Sequence, residues 1–165
     1  MEEFQLLGTL AQIAGVFVGF GALISVRRGN LTRPIELTFI RGVVWNGLLV
    51  IVAALLPLAL EPFIDHLVLW RLCGFLALVV YWGMVLLNYL TPEQRRLMAA
   101  YRRRHLVWLL IVSILLDVPM TVALGVLALG LWPDAEAALY TVGIVSILFE
   151  ASFYLLYLVY TQKPR

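Results

Sequence analysis

Five predominantly apolar stretches, each longer than twenty residues, decide what this chain can become: Phe4–Val26, about Thr38–Leu60, Leu67–Leu90, Leu106–Trp132 and Ala138–Tyr160. A bilayer hydrocarbon core of roughly 30 Å is crossed by about 20 residues of α-helix. Backbone groups left open in hydrocarbon each cost free energy that nothing offsets, so every such stretch is expected to be helical. The links between stretches are short and hold nearly all the charge. The expected fold is therefore an all-α integral membrane protein, a bundle of about five transmembrane helices forming one domain over residues 1–165. Composition agrees: 63% of residues are hydrophobic and 13% charged, whereas soluble domains carry about a quarter charged residues.

The link charges sort by side. Arg27, Arg28, Arg33 and Arg41 lie between the first and second stretches, Arg95, Arg96, Arg102, Arg103 and Arg104 between the third and fourth, and Lys163 and Arg165 after the fifth. The other segments hold Glu2 and Glu3, Glu61 and Asp65, and Asp134 and Glu136, with no Lys or Arg. By the positive-inside rule this alternation places the amino terminus outside and the carboxyl terminus in the cytoplasm of a cell inner (plasma) membrane. Dropping any crossing would put a basic link outside. Met1-Glu2-Glu3 is acidic where a signal peptide needs a basic front, so the first stretch is expected to be retained. Thr91-Pro92-Glu93-Gln94 reads as a capping box. It predicts a short amphipathic cytoplasmic helix before the fourth crossing, with Leu97, Met98, Tyr101 and His105 on one face. Trp70 and Trp132 are expected at the outer interface and Trp108 at the inner one.

Ionisable groups inside the apolar stretches are the informative ones, because a charge at that depth is costly. Asp117 lies 11 residues past Leu106 and Glu150 lies 10 residues before Tyr160, so both are expected near the bilayer midplane. Each sits in a polar stripe: Ser113, Asp117 and Thr121 on the fourth helix, and Gly143, Ser146, Glu150, Tyr154, Tyr157 and Thr161 on the fifth. These residues define a candidate ion or proton pathway. The structural reading is that the acids are neutral and hydrogen-bond between helices. Pro119 removes a backbone bond to Leu115 and frees a carbonyl beside Asp117. Arg71 is a candidate charge partner: it either meets Glu61 or Asp65 at the outer interface or reaches inward to Asp117.

Two further surfaces stand out. Gly8, Gln12, Gly15 and Gly19 share one face of the first helix, and Gly15-x-x-x-Gly19 is a close-packing motif that suits another helix of this chain or another copy. Gln12, Asn46 and Asn88 together predict a polar seam inside the bundle. Arg102, Arg103 and Arg104 form a candidate lipid head-group cluster. Cys73 is the single cysteine and reads as a small apolar filler. The sequence holds no catalytic motif, and no cofactor or metal site is expected; His66 and His105 fall on opposite sides. A net charge of +2 implies no nucleic-acid partner. The expected partners are the lipid bilayer, further copies of the chain in a homo-oligomer, and a partner membrane protein.

The run Ala14-Gly15-Val16-Phe17-Val18-Gly19-Phe20-Gly21-Ala22-Leu23-Ile24-Ser25-Val26, with Ile40-Arg41 leading to Leu55-Leu56-Pro57-Leu58, resembles small bacterial multi-pass inner-membrane proteins. The resemblance covers about the first third of the chain. It implies a prokaryotic inner-membrane protein and carries over no activity and no site residues. The Trp-Pro-rich loops of the tryptophan-rich sensory proteins are missing, which excludes that family. The functional expectation is a homo-oligomeric channel or ion/proton-coupled carrier with Asp117 and Glu150 at its centre. The alternative is a non-transporting module that binds a partner protein or lipid through its first helix and basic loop.

Overall fold

The computed structural model describes residues 2–27, 34–92, 95–96, 107 and 111–160. Most of the expected amphipathic helix, Trp108 and the Arg102, Arg103 and Arg104 cluster lie outside them. Among the described residues every regular element is helical. Helix α1 spans Glu2–Arg27, α2 Pro34–Leu60, α3 His66–Leu90, α4 Val118–Ala128 and α5 Glu136–Tyr160. A π-helical turn, Ser113–Asp117, leads into α4. Helices α1, α2, α3 and α5 are each long and apolar enough to cross a membrane. The described part of the fourth stretch is a shorter apolar helix, Ile114–Ala128.

The helix ends follow local chemistry. Pro34 opens α2, where a missing N–H costs nothing, and Glu36 stands near the positive dipole end. Gly130 stops α4 with φ +64°. Its N–H bonds to the Leu127 carbonyl and that of Leu131 to Val126, the paired closure that a left-handed glycine permits. The Thr91 hydroxyl donates back to Leu87 at 3.2 Å and closes α3.

Successive helices alternate in direction. At one end Trp70 of α3 stacks on Phe4 of α1 and packs at a tilt on Tyr140 of α5, with ring centroids 6.0 and 5.5 Å apart. At the other, Phe39 of α2 packs on Tyr157 of α5 at 4.3 Å, beside Ile24 of α1. Trp70 is therefore a core side chain, 1% exposed, rather than an interfacial marker. Its indole N–H points at His66 Nε2. Cys73 is buried in the same core.

Helix α5 is the hub and touches all four other helices, whereas α2 and α3 meet only loosely. Proline chemistry ties α5 to α2. Pro57 has no N–H for the carbonyl of Ala53 one turn back. The hydroxyl of fully buried Tyr140 donates to that carbonyl at 2.5 Å.

Candidate functional site

The two acids come together, and the group that joins them is Tyr81 of α3. Its hydroxyl lies 2.8 Å from Glu150 Oε2 and 3.1 Å from Asp117 Oδ1. Tyr154, one turn past Glu150 on α5, donates to Glu150 Oε1. The amide of Asn46 on α2 also hydrogen-bonds the Glu150 carboxyl. Helices α2, α3 and α5 and the π-helical turn thus each contribute a side chain. Tyr81, Asn46 and Glu150 are buried, and Asp117 is half-buried.

Backbone geometry explains the convergence. Pro119 cannot donate to Leu115, and the chain answers with a π-helical turn that ends on Asp117. Such turns shift the register of a helix face by one residue. At the other side of the site, Gly42 on α2 leaves room for the Tyr154 ring: a Cβ at Gly42 would come within 2.7 Å of it.

Counting protons shows what the cluster can do. Tyr81 has one hydroxyl proton and two carboxyl oxygens within reach. It donates to one; the other contact closes when that carboxyl carries a proton and donates to the Tyr81 oxygen. Glu150 has three donors around it, Tyr81, Tyr154 and Asn46. Among the described residues Asp117 has only the shared tyrosine. A proton on Asp117 therefore completes a chain running Asp117–Tyr81–Glu150–Tyr154. Among the described residues no cationic side chain pairs with either acid, and no three His, Cys, Asp or Glu groups converge as metal ligands.

Several expected members of the pathway stand elsewhere. Thr121 accepts the Trp82 indole N–H at 3.2 Å rather than meeting Asp117. Ser146 donates to the Val142 carbonyl of its own helix. Tyr157 packs against Phe39 with the two rings tilted. Ser113 belongs to the π-helical turn, and its side chain is outside the described part. Arg71 meets neither Glu61, Asp65 nor Asp117. It pairs through Nε with Glu136 Oε1 at the first turn of α5, 2.7 Å away, and lies against Gly130 at the end of α4. The seam of three amides does not form: Asn46 joins the acid cluster, while Gln12 and Asn88 are exposed.

The first-helix glycines also differ from expectation. A Cβ added at Gly8, Gly15 or Gly19 meets nothing within 4 Å. The close approach of α1 to α2 runs through Gly47 instead, where a Cβ would lie 2.6 Å from Val18.

Comparison with family models, with curated proteins and with solved structures finds no match.

Proposed function

We propose that this chain is a proton-coupled carrier of a prokaryotic inner membrane, with Asp117, Tyr81, Glu150 and Tyr154 as its proton-binding chain. The observation that carries this reading is the single tyrosine hydroxyl held between two carboxyls at the centre of the bundle. A proton can sit on either acid and pass through the hydroxyl between them, so the site has two arrangements of similar composition. Such an element is what coupling to a second solute requires. The acids close on each other through Tyr81 inside one protomer, which favours a carrier over an ion channel. The basic links define the cytoplasmic end, and homo-oligomer formation belongs to the same reading. Cysteines at Asp65 and Asp134 should label from outside intact cells, and one at Arg28 should not; outside labelling at Arg28 overturns that orientation.

The test is proton flux into liposomes holding the purified protein. Asp117→Asn should leave the helices and thermal unfolding near those of the parent, Glu150→Gln should keep the helices at a cost of about 1 kcal/mol, and both should abolish pH-driven flux. Tyr81→Phe should do the same while leaving both acids in place. Parent protein that moves no protons, sodium, potassium or small anions over a wide pH range overturns the reading. That result would leave the partner-binding alternative, which one observation favours: the glycine face of α1 meets no other described part of the protomer.

A further inference from the structure

Between α2 and α3, which meet only loosely, lies an open apolar groove of about 330 Å³. Trp45, Leu48 and Val52 line it from α2, and Leu76, Val80 and Met84 from α3. Trp45, Leu48, Val52, Leu76 and Val80 are all exposed within the protomer. The groove runs from Trp45 to Leu56 along α2, roughly 16 Å at the rise of an α-helix and close to the depth of one bilayer leaflet.

Its two ends differ in chemistry. One turn before Trp45, on the same face, is Arg41, and one turn after Met84 is Asn88; both are exposed. The helices are antiparallel, so these polar groups flank the same mouth, and exposed Arg95 and Arg96 follow in the chain beyond α3. One turn past the opposite end stand Leu60 and buried Leu69, and the link between them carries exposed Glu61 and Asp65, which repel an anionic head. A ligand that fits has an apolar chain about one leaflet long and a single anionic head at the basic end.

We infer that the α2–α3 groove is a binding site for an anionic glycerophospholipid, one acyl chain lying between Trp45 and Leu56 and the phosphate held by Arg41 and Asn88. The arginine supplies the charge, and the asparagine amide donates to a phosphate or ester oxygen. The groove shares no residue with the acid cluster, so this proposal and the proton-carrier reading fail separately.

Native mass spectrometry of the detergent-purified full chain, titrated with phosphatidylglycerol or with phosphatidylcholine of the same acyl chains, tests it. The parent should retain phosphatidylglycerol saturably and in preference to phosphatidylcholine. Arg41→Gln should reduce that preference about fivefold, the factor one arginine near an anionic surface supplies. Val52→Trp should abolish retention of both lipids by filling the groove. Arg41 is exposed at the start of α2, so its variant still reads the site if Val52→Trp fails to fold. Equal retention of the two lipids by the parent overturns the proposal, as does a preference unchanged in Arg41→Gln. A dimer in the parent that Val52→Trp dissociates also overturns it, because a second copy then fills the groove.

Discussion

Tyr81 shows what residue-level reading of an apolar stretch finds and what it misses. The depths of Asp117 and Glu150 follow from counting residues, because the helix rise is fixed, and the two acids do meet through one hydroxyl. Tyr81 itself gives no signal, since a lone tyrosine among apolar residues looks like core filling. The clue was chemical rather than periodic: two adjacent acids need a donor. The serine and threonine spacing misled for the opposite reason. In a membrane helix a hydroxyl can satisfy itself on the carbonyl one turn back, as Ser146 does. The two acids should therefore respond differently to amidation. Asp117→Asn should be nearly silent in reversible unfolding from mixed micelles, because the new amide donates to Tyr81 as a protonated acid does. Glu150→Gln should cost about 1 kcal/mol, because its amide N–H turns one of three surrounding donors away. Equal costs would mean that the donors around the two carboxyls do not set them apart.

At the scale of the element, glycine pattern and glycine function separate. Gly15 and Gly19 make the recognisable motif, yet they face outward from the protomer, whereas Gly42 and Gly47 pack closely without any motif. Spacing reports which residues share a face; it does not report which face another helix takes. Gly47→Leu should destabilise the protomer by about 1–3 kcal/mol, the usual cost of overpacking. Gly15→Leu and Gly19→Leu should leave it within about 0.5 kcal/mol of the parent. If the latter pair instead lowers oligomer mass in light scattering, the α1 face is an interface between copies. The Pro57 gap gives a sharper test of helix coupling. Tyr140→Phe should cost about 1 kcal/mol in the parent, through loss of its bond to the Ala53 carbonyl. In a Pro57→Ala background the cost should shrink, because the restored N–H at 57 takes that carbonyl. A double-mutant cycle measures the difference, and additive effects would deny the coupling. The gap at Pro119 was legible as a lost backbone bond; that a π-helical turn would absorb it was not, since proline also produces simple kinks.

For the whole molecule, the alternation of charged links predicted five helices running up and down, and the ring contacts at both ends agree with it for α1, α2, α3 and α5. Hydropathy could not rank the helices, because all five stretches are comparably apolar, and so the central place of α5 was hidden. Arg71 illustrates the same limit: its partner Glu136 is 65 residues away, while Asp65 and Glu61 were near in sequence. That central place bears on how the protein is made. Until α5 emerges from the ribosome and enters the membrane, Asn46, Tyr81 and Asp117 lack Glu150, and the carbonyl of Ala53 lacks Tyr140. The first four helices are then an unfinished bundle whose polar groups face lipid, the kind of surface that membrane chaperones hold and proteases clear. A chain stopped after Pro133 should be degraded severalfold faster than the full one in pulse-chase. Separate expression of residues 134–165 should slow that decay, and should do so less well when the separate piece carries Glu150→Ala with Tyr140→Phe. Equal lifetimes for the stopped and complete chains would show that the early helices reach a finished state without α5.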